Sequence, residues 1–424
     1  MTKSTKIRFA IFQILIEIYK NNKNFDDLFE IKIREYNLND EQKSFVFNVC
    51  LNSMRYGIHC RIILNKFIKK KLKVSQYILL SSAITQMLYL NIKPYAVVNE
   101  TVEVAKKIKL YPAFINGILK KISNNSKDLK NDTDITVNDL PIWLKKEIDK
   151  NQNIDLKKFL STFFFEPRLH IVFKSNSDLS NFKEDYDIST NKSVFIKSEK
   201  KVNELSNFNK GQWWIQNFSS MLPLELADNL KNKSVLDLCA APGGKAFQVL
   251  SHNNNITLND ISRKRIKKLK QNLLRLNFNP KITNMDALKF PSSTKYDLVI
   301  LDSPCSAIGT IRSNPEILFK NKKPNLKKLS SLQEKLLQKA STLVHSQGIL
   351  IYMVCSFLHI ETILPIEKFL KKNKNFSIVK YNYRDRDLNI KHLIDSKGYF
   401  LSAPTLYNGK EIDGFFSIQL INND

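Results

Sequence analysis

Asp302-Ser303-Pro304-Cys305 sets a carboxylate and a thiol on one short loop stiffened by proline, and Cys355 ends a second apolar run further along the chain. A thiol attacks only as its thiolate, and a thiolate beside an acid suits a reaction that pyrimidines require. Carbon 5 of a pyrimidine is too electron-poor to take a methyl cation directly. A thiolate adding to carbon 6 makes carbon 5 enamine-like and nucleophilic, and a base then removes the carbon-5 proton so that the thiolate can leave. An acid sharing a proton with the ring N3 completes such a site. Either cysteine alone reads as readily as a small apolar residue at a strand end. Two of them, one in Pro-Cys-Ser, favour the chemistry. Residue types alone do not say which thiol attacks.

The stretch Ser234 to Gln248 offers a place for a second reactant. Val235, Leu236 and Leu238 form the apolar run of a buried parallel strand. Cys239, Ala240, Ala241, Pro242, Gly243 and Gly244 form a turn of small residues, and Lys245 opens a helix. Strand, small-residue loop and helix begin a doubly wound α/β domain whose backbone amides can approach a nucleotide. The loop is not Gly-x-Gly-x-x-Gly, so a dinucleotide pyrophosphate fits poorly, and the absence of Gly-Lys-Ser/Thr excludes a P-loop. Later strand ends carry Asp260, Asp286 and Asp302. Asp260 stands where a carboxylate accepts from ribose hydroxyls, and Asp286 can accept from an adenine amino group. A nucleoside ligand without a large anionic group suits so many carboxylates. S-adenosyl-L-methionine, with adenosine, ribose and a cationic sulfonium, matches.

The elements that must position these residues follow a regular pattern. Residues 3–124 read as an all-α module: Ile7, Ala10, Ile11, Ile14, Leu15 and Ile18 lie on one helical stripe, and Asp40 is placed to cap a helix carrying Phe45, Val46, Val49 and Cys50. Arg61 to Lys73 reads as a basic amphipathic helix, Ser75 to Leu90 as the central buried one, and Pro94 as a break. Cys50 and Cys60 read as core thiols. A polar linker and a small α+β insert with strands near 168–174 and 193–196 follow, then a helix over Met221 to Leu230 and the α/β alternation. The expected division is 1–125 all-α, 126–140 linker, 141–205 small α+β subdomain and 206–424 α/β Rossmann-like domain.

Composition is that of a globular chain, with 43% hydrophobic and 25% charged residues. The absence of a run of about 18 apolar residues, and a polar, basic N-terminus, give no membrane span and no secretory signal. Five cysteines without a CxxC pair or a disulfide spacing point to the cytoplasm and to metal-free chemistry. The net charge of +27 could follow from codon bias towards Lys, Asn and Ile. Residues 51–130, however, hold fifteen basic against three acidic residues, a concentration that a uniform bias does not produce and that nucleic acid as a partner explains.

Leu236-Asp-Leu-Cys-Ala-Ala-Pro-Gly-Gly-Lys245, Asp302-Ser-Pro-Cys-Ser306 with Gly309-Thr-Ile-Arg-Ser-Asn-Pro-Glu316, Tyr352-Met-Val-Cys-Ser356 and Asp413-Gly-Phe-Phe416 resemble the motif set of RNA 5-methylcytosine methyltransferases. Asn99-Glu-Thr-Val-Glu-Val-Ala-Lys106 and Phe114-Ile-Asn-Gly-Ile-Leu119 resemble the NusB-like RNA-binding domain. The combination over the full chain is similar to the RsmB (Sun/Fmu) family of 16S rRNA methyltransferases. The resemblance implies a class I methyltransferase domain using S-adenosyl-L-methionine on a cytosine of 16S rRNA, at cytosine 967, in a monomeric enzyme. It further implies that residues 239–245 hold the methionine moiety, Asp260 the ribose and Asp286 the adenine, with Asp302 between cofactor and target base. Cys355 is then the nucleophile and Cys305 assists product release, while Arg168 falls where the RNA-facing subdomain begins. Ser303, Ala307, Asn217 and Val354 depart from the family pattern. Val354 removes a hydroxyl, usually threonine's, next to the nucleophile. The other readings are the same chemistry on tRNA or on another rRNA cytosine, and a non-catalytic RNA-binding assembly factor.

Overall fold

The computed structural model describes residues 2–131, 134–150, 154–227, 230–252, 255–382 and 390–424. Two compact units form: Met1–Lys146 with Ile311–Lys323, and Glu147–Thr310 with Pro324–Asp424.

In the first unit, helices Lys3–Asn21, Phe25–Glu35, Asp40–Arg55, Gly57–Phe67, Val74–Ile84, Pro94–Lys107 and Pro112–Asn124 enclose one apolar core. The predicted stripe of the first helix is inside: Ala10, Ile11, Ile14, Leu15 and Ile18 are buried. Cys50 and Cys60 are fully buried in the same core. Some local expectations are corrected. Asn39, not Asp40, caps the third helix, since its side chain accepts from Gln42 N while the Gln42 side chain accepts from Asn39 N. Pro94 opens a helix rather than breaking one, as does Pro112, because the first helical position needs no N–H donor. The basic helix stops at Phe67, short of the lysines at 69–73. Ser126–Asn131 is helical within the expected linker, of which 132–133 lie outside the described residues. Ile311–Lys323 also belongs to this unit, an excursion that no local pattern signals. Phe319 joins the core of the helices, its ring edge-on to Tyr19 at 5.5 Å between centroids. Asn321 N donates to Tyr19 O, and the Arg55 side chain donates to Arg312 O at 3.1 Å.

The second unit opens with a small antiparallel sheet of β1 (His170–Phe173), β2 (Tyr186–Thr190), β3 (Ser193–Ile196) and β4 (Trp213–Ile215), in the order β2-β3-β1-β4. A helix, Phe218–Leu226, leads into the main sheet. It starts three residues earlier than expected, capped by Asn217 accepting from Ser220 N, and 228–229 of its expected end lie outside the described residues. The main sheet holds β5 (Ser234–Asp237), β6 (Asn255–Asn259), β7 (Lys281–Thr283), β8 (Tyr296–Asp302), β9 (Val344–Val354), β10 (Phe376–Val379), β11 (Phe400–Ser402) and β14 (Phe415–Asn422). Its order is β10-β14-β9-β8-β5-β6-β7, with β11 beside β14, while β12 (Thr405–Tyr407) and β13 (Lys410–Ile412) form a separate hairpin. Strands β5 to β9 run parallel, and β14 runs antiparallel to β9. Successive residues serve opposite faces: Leu298 and Ile300 join one apolar layer, Val299 and Leu301 the other. Covering both faces in this way turns parallel strands into continuous apolar runs.

Candidate active site

β5 and β8 are neighbours from which the strand order runs outward in both directions, so the crevice for a ligand lies at their carboxyl ends. Three features converge there: the loop after β5, the loop after β8 and the end of β9.

The first loop is held close to the sheet. Ala240 N donates to Asn259 O at 2.8 Å and Ala241 N to the Asp260 carboxylate at 3.2 Å. Gly243 has φ +118°, and a Cβ there would stand 2.3 Å from Phe247 Cζ, so no other residue fits the turn. Lys245, at the start of helix Gly244–Leu250, reaches across to Asp302 at the end of β8, Nζ to Oδ2 2.6 Å. Burial alone would lower the Lys245 pKa, but Asp302 first, then Cys355 and Asp237, outweigh it and hold the ammonium charged.

Asp237 was not singled out in the sequence because it sits inside the apolar run of β5. Its carboxyl is 1% exposed, and its Oδ1 meets no hydrogen-bond partner. Burial raises its pKa to about 7, helped by Asp302 and, less, by Asp260, with Lys245 opposing. Burial first, then Asp237, Asp302 and Asp260, push the pKa of the half-buried Cys239 thiol far up. An unpaired, buried carboxylate oxygen among crowding acids is what a cationic ligand would relieve, so the residues present fit a sulfonium-bearing nucleoside.

Asp260 is 2% exposed and fixed by Ala241 N, by Ser262 N at 2.8 Å and by Arg265 at 3.0 Å. A carboxylate has about four acceptor positions, so room remains for one further donor. Asp286, half-buried past β7, accepts from Leu288 N at 3.0 Å.

Strand pairing of β8 with β9 brings the two cysteine segments together. Ser303 N donates to Met353 O and Gly309 N to Cys355 O. The sulfurs of Cys305 and Cys355, both half-buried and free, stand 3.4 Å apart. The hydrogen bond with Cys355, then burial, push the Cys305 pKa well up. Val354 is fully buried in the apolar layer with Leu301 and Phe416. A hydroxyl at that position would meet apolar side chains. Arg168 pairs with Asp187 at 3.0 Å, and Lys197 and Lys410 share that carboxylate.

Sheet order, small-residue loop and strand-end acids define a Rossmann-like class I methyltransferase domain. Residues 224–421 match the family described as 16S rRNA methyltransferase RsmB/F, and residues 5–124 match the NusB family. The ribosomal RNA small subunit methyltransferase B of Serratia proteamaculans is 25% identical, over 86% of this chain and 90% of that protein. Among solved structures, PH0851 superimposes with a TM-score of 0.71 at 19% identity over 99% of each chain. A methyltransferase homolog from Pyrococcus horikoshii does so at 0.53 and 20%, over 66% of this chain and 94% of its own. Residues 224–421 thus carry an RsmB/F methyltransferase domain and residues 5–124 a NusB domain. The protein is an RNA methyltransferase.

Proposed function

We propose that this protein methylates carbon 5 of a cytosine in small-subunit rRNA, with S-adenosyl-L-methionine as cofactor, through a transient bond between Cys355 and carbon 6. The observation that carries the reading is the pair of free thiols 3.4 Å apart, one of them on the loop that follows Asp302. The matched family and the named relative both concern small-subunit rRNA, and the resemblance implies cytosine 967.

When bound, the cofactor supplies a methyl group activated on a cationic sulfur. Residues 239–245 would hold its methionine part, with Asp237 facing positive charge, Asp260 the ribose and Asp286 the adenine. The target base is flipped from its strand. Cys355 donates its electron pair to carbon 6, and the ring π pair moves to carbon 5, which would take the methyl group while the sulfur–methyl bonding pair would stay with the departing neutral thioether. Asp302 would share a proton with N3 of the base, which would draw that density through the ring. Loss of the carbon-5 proton to a base then restores the double bond, and the carbon–sulfur pair returns to Cys355. Cys305 supports this release. Lys245 holds Asp302 in place.

The test is methyl transfer from labelled S-adenosylmethionine to protein-free 16S rRNA, with wild type, Cys355→Ala and Cys305→Ala side by side. The expected result is transfer by wild type, none by Cys355→Ala, and an accumulating protein–RNA adduct for Cys305→Ala. An exchange of behaviour between the two variants would overturn the nucleophile. Labelling of tRNA in place of rRNA would overturn the substrate.

A further inference from the structure

Glu361 lies past the end of β9, and its carboxyl is wholly buried. Among the described residues no cationic side chain forms an ion pair with it. Its charge is met by hydrogen bonds instead. Oε1 accepts from Ser306 N at 2.7 Å and from Gln333 Nε2 at 3.4 Å, and Oε2 accepts from the hydroxyls of Ser306 at 2.5 Å and Ser356 at 2.7 Å. Ser306 directly follows Cys305, and Ser356 directly follows Cys355. One carboxylate is therefore tied to both segments that carry the thiols. Each hydroxyl is itself oriented, Ser306 Oγ accepting from Ile308 N and Ser356 Oγ from Leu358 N, so that its proton is free for Glu361. Gln333 also donates to Pro304 O at 3.0 Å, and Tyr352 of β9 donates to Glu361 O at 2.8 Å.

Burying a carboxylate is costly even when it is fully hydrogen-bonded, and a packed apolar group often serves stability as well. Its geometric reach to both cysteine segments gives the charge a use. We infer that Glu361 is a positioning residue for methyl transfer, fixing the Cys305 and Cys355 segments against each other through Ser306 and Ser356. This rests on the two-thiol reading above. Its negative charge is also among the influences holding the Cys305 proton in place, after the Cys355 hydrogen bond and burial.

The test compares wild type, Glu361→Gln, Ser356→Ala and Cys355→Ala. The readouts are kcat and KM for rRNA, affinity for S-adenosylmethionine by calorimetry, thermal stability, and the pH dependence of iodoacetamide labelling of each cysteine by peptide mass spectrometry without RNA. Glu361→Gln keeps the shape and removes the charge. It is expected to lower kcat about thirtyfold, as loss of a charge-assisted hydrogen bond does, with KM and cofactor affinity within about twofold, the signature of misplaced reacting groups. Labelling of Cys305 should then begin at lower pH. Ser356→Ala keeps the charge and loses one tether, so kcat should fall about fivefold with Cys305 labelling unmoved. Unchanged kcat and labelling in Glu361→Gln would overturn the inference, as would kcat, KM, cofactor affinity and stability falling together. If Glu361→Gln does not fold, wild-type kcat in Ser356→Ala overturns it. A Cys355→Ala enzyme that still transfers methyl groups means that the two-thiol reading itself has failed. A dead Cys355→Ala beside a fully active Glu361→Gln removes only the role of Glu361.

Discussion

Replacing Asp237 by Asn should stabilise the protein at neutral pH while weakening its hold on the cofactor. An aspartate in the unfolded chain titrates near 4, and burial beside Asp302 raises Asp237 to about 7. The folded state therefore prefers the protonated acid. The contribution of this group to stability is complete below pH 4 and is lost as pH rises through 7. Three pH units at 1.36 kcal/mol each place the cost of ionised Asp237 at about 4 kcal/mol above neutrality. Asn has the same shape and no charge, but it leaves a buried amide donor incompletely bonded, at a cost of about 2 kcal/mol. The net gain at pH 8 is about 2 kcal/mol, or about 5 °C in Tm for a unit of this size, and it should reverse by pH 4. Scanning calorimetry of both proteins from pH 4 to pH 8 checks it. The same substitution should flatten cofactor binding against pH. Wild type should bind S-adenosylmethionine about tenfold more tightly at pH 8 than at pH 6, as Asp237 ionises against the ligand's positive charge. If Asp237→Asn lowers Tm equally at pH 4 and pH 8, the carboxyl is a neutral hydrogen-bonding strut and the electrostatic account fails.

Three other outcomes follow from the geometry. Gly243→Ala puts a Cβ at φ +118° and 2.3 Å from Phe247 Cζ, and should cost roughly 3 kcal/mol in urea denaturation and abolish cofactor binding. Phe319→Ala should remove about 3–5 kcal/mol from the helical unit, read as an earlier thermal transition while β5 to β9 keep their own. His170, buried between Gln216 O at 2.8 Å and Ser189 Oγ at 2.9 Å, is depressed by burial to about 4. Its contribution is present above about 6.5 and lost as pH falls toward 4, about 3 kcal/mol in all, so His170→Gln should flatten that slope in urea midpoints. Asp237 and His170 act in opposite directions over this range, which is why single variants are compared.

The loop 239–245 and the acids at 260, 286 and 302 were readable because parallel strands covered on both faces leave apolar runs that end abruptly in polar residues. The same rule hid Asp237, which lies within its run rather than after it. The approach of Cys305 to Cys355 depends on β8 pairing with β9, which no local spacing encodes, so strand-end position and the family motifs point to the two thiols without giving their distance. Lys245 was read as part of a cofactor loop, and its bond to Asp302 depends on where the helix after β5 starts. Glu361 carries no local signal either, because its partners come from separate loops. Pro94 ends one helical pattern and opens the next, since the first helical position tolerates proline. Asn39 and Asp40 are both capping residue types, and only the reciprocal bonds between Asn39 and Gln42 single out Asn39.

The path of residues 311–323 bears on how this gene can be divided. A polypeptide ending at residue 146 would contain every helix up to Ile142–Ile148 but lack Phe319, and the apolar socket against Tyr19 would open to water. The N-terminal domain is thus not a cassette that can be cut away and joined to another enzyme. A graft would have to carry a loop encoded far downstream, inside the catalytic half, and a substitution at Tyr19 would have to be answered at Phe319.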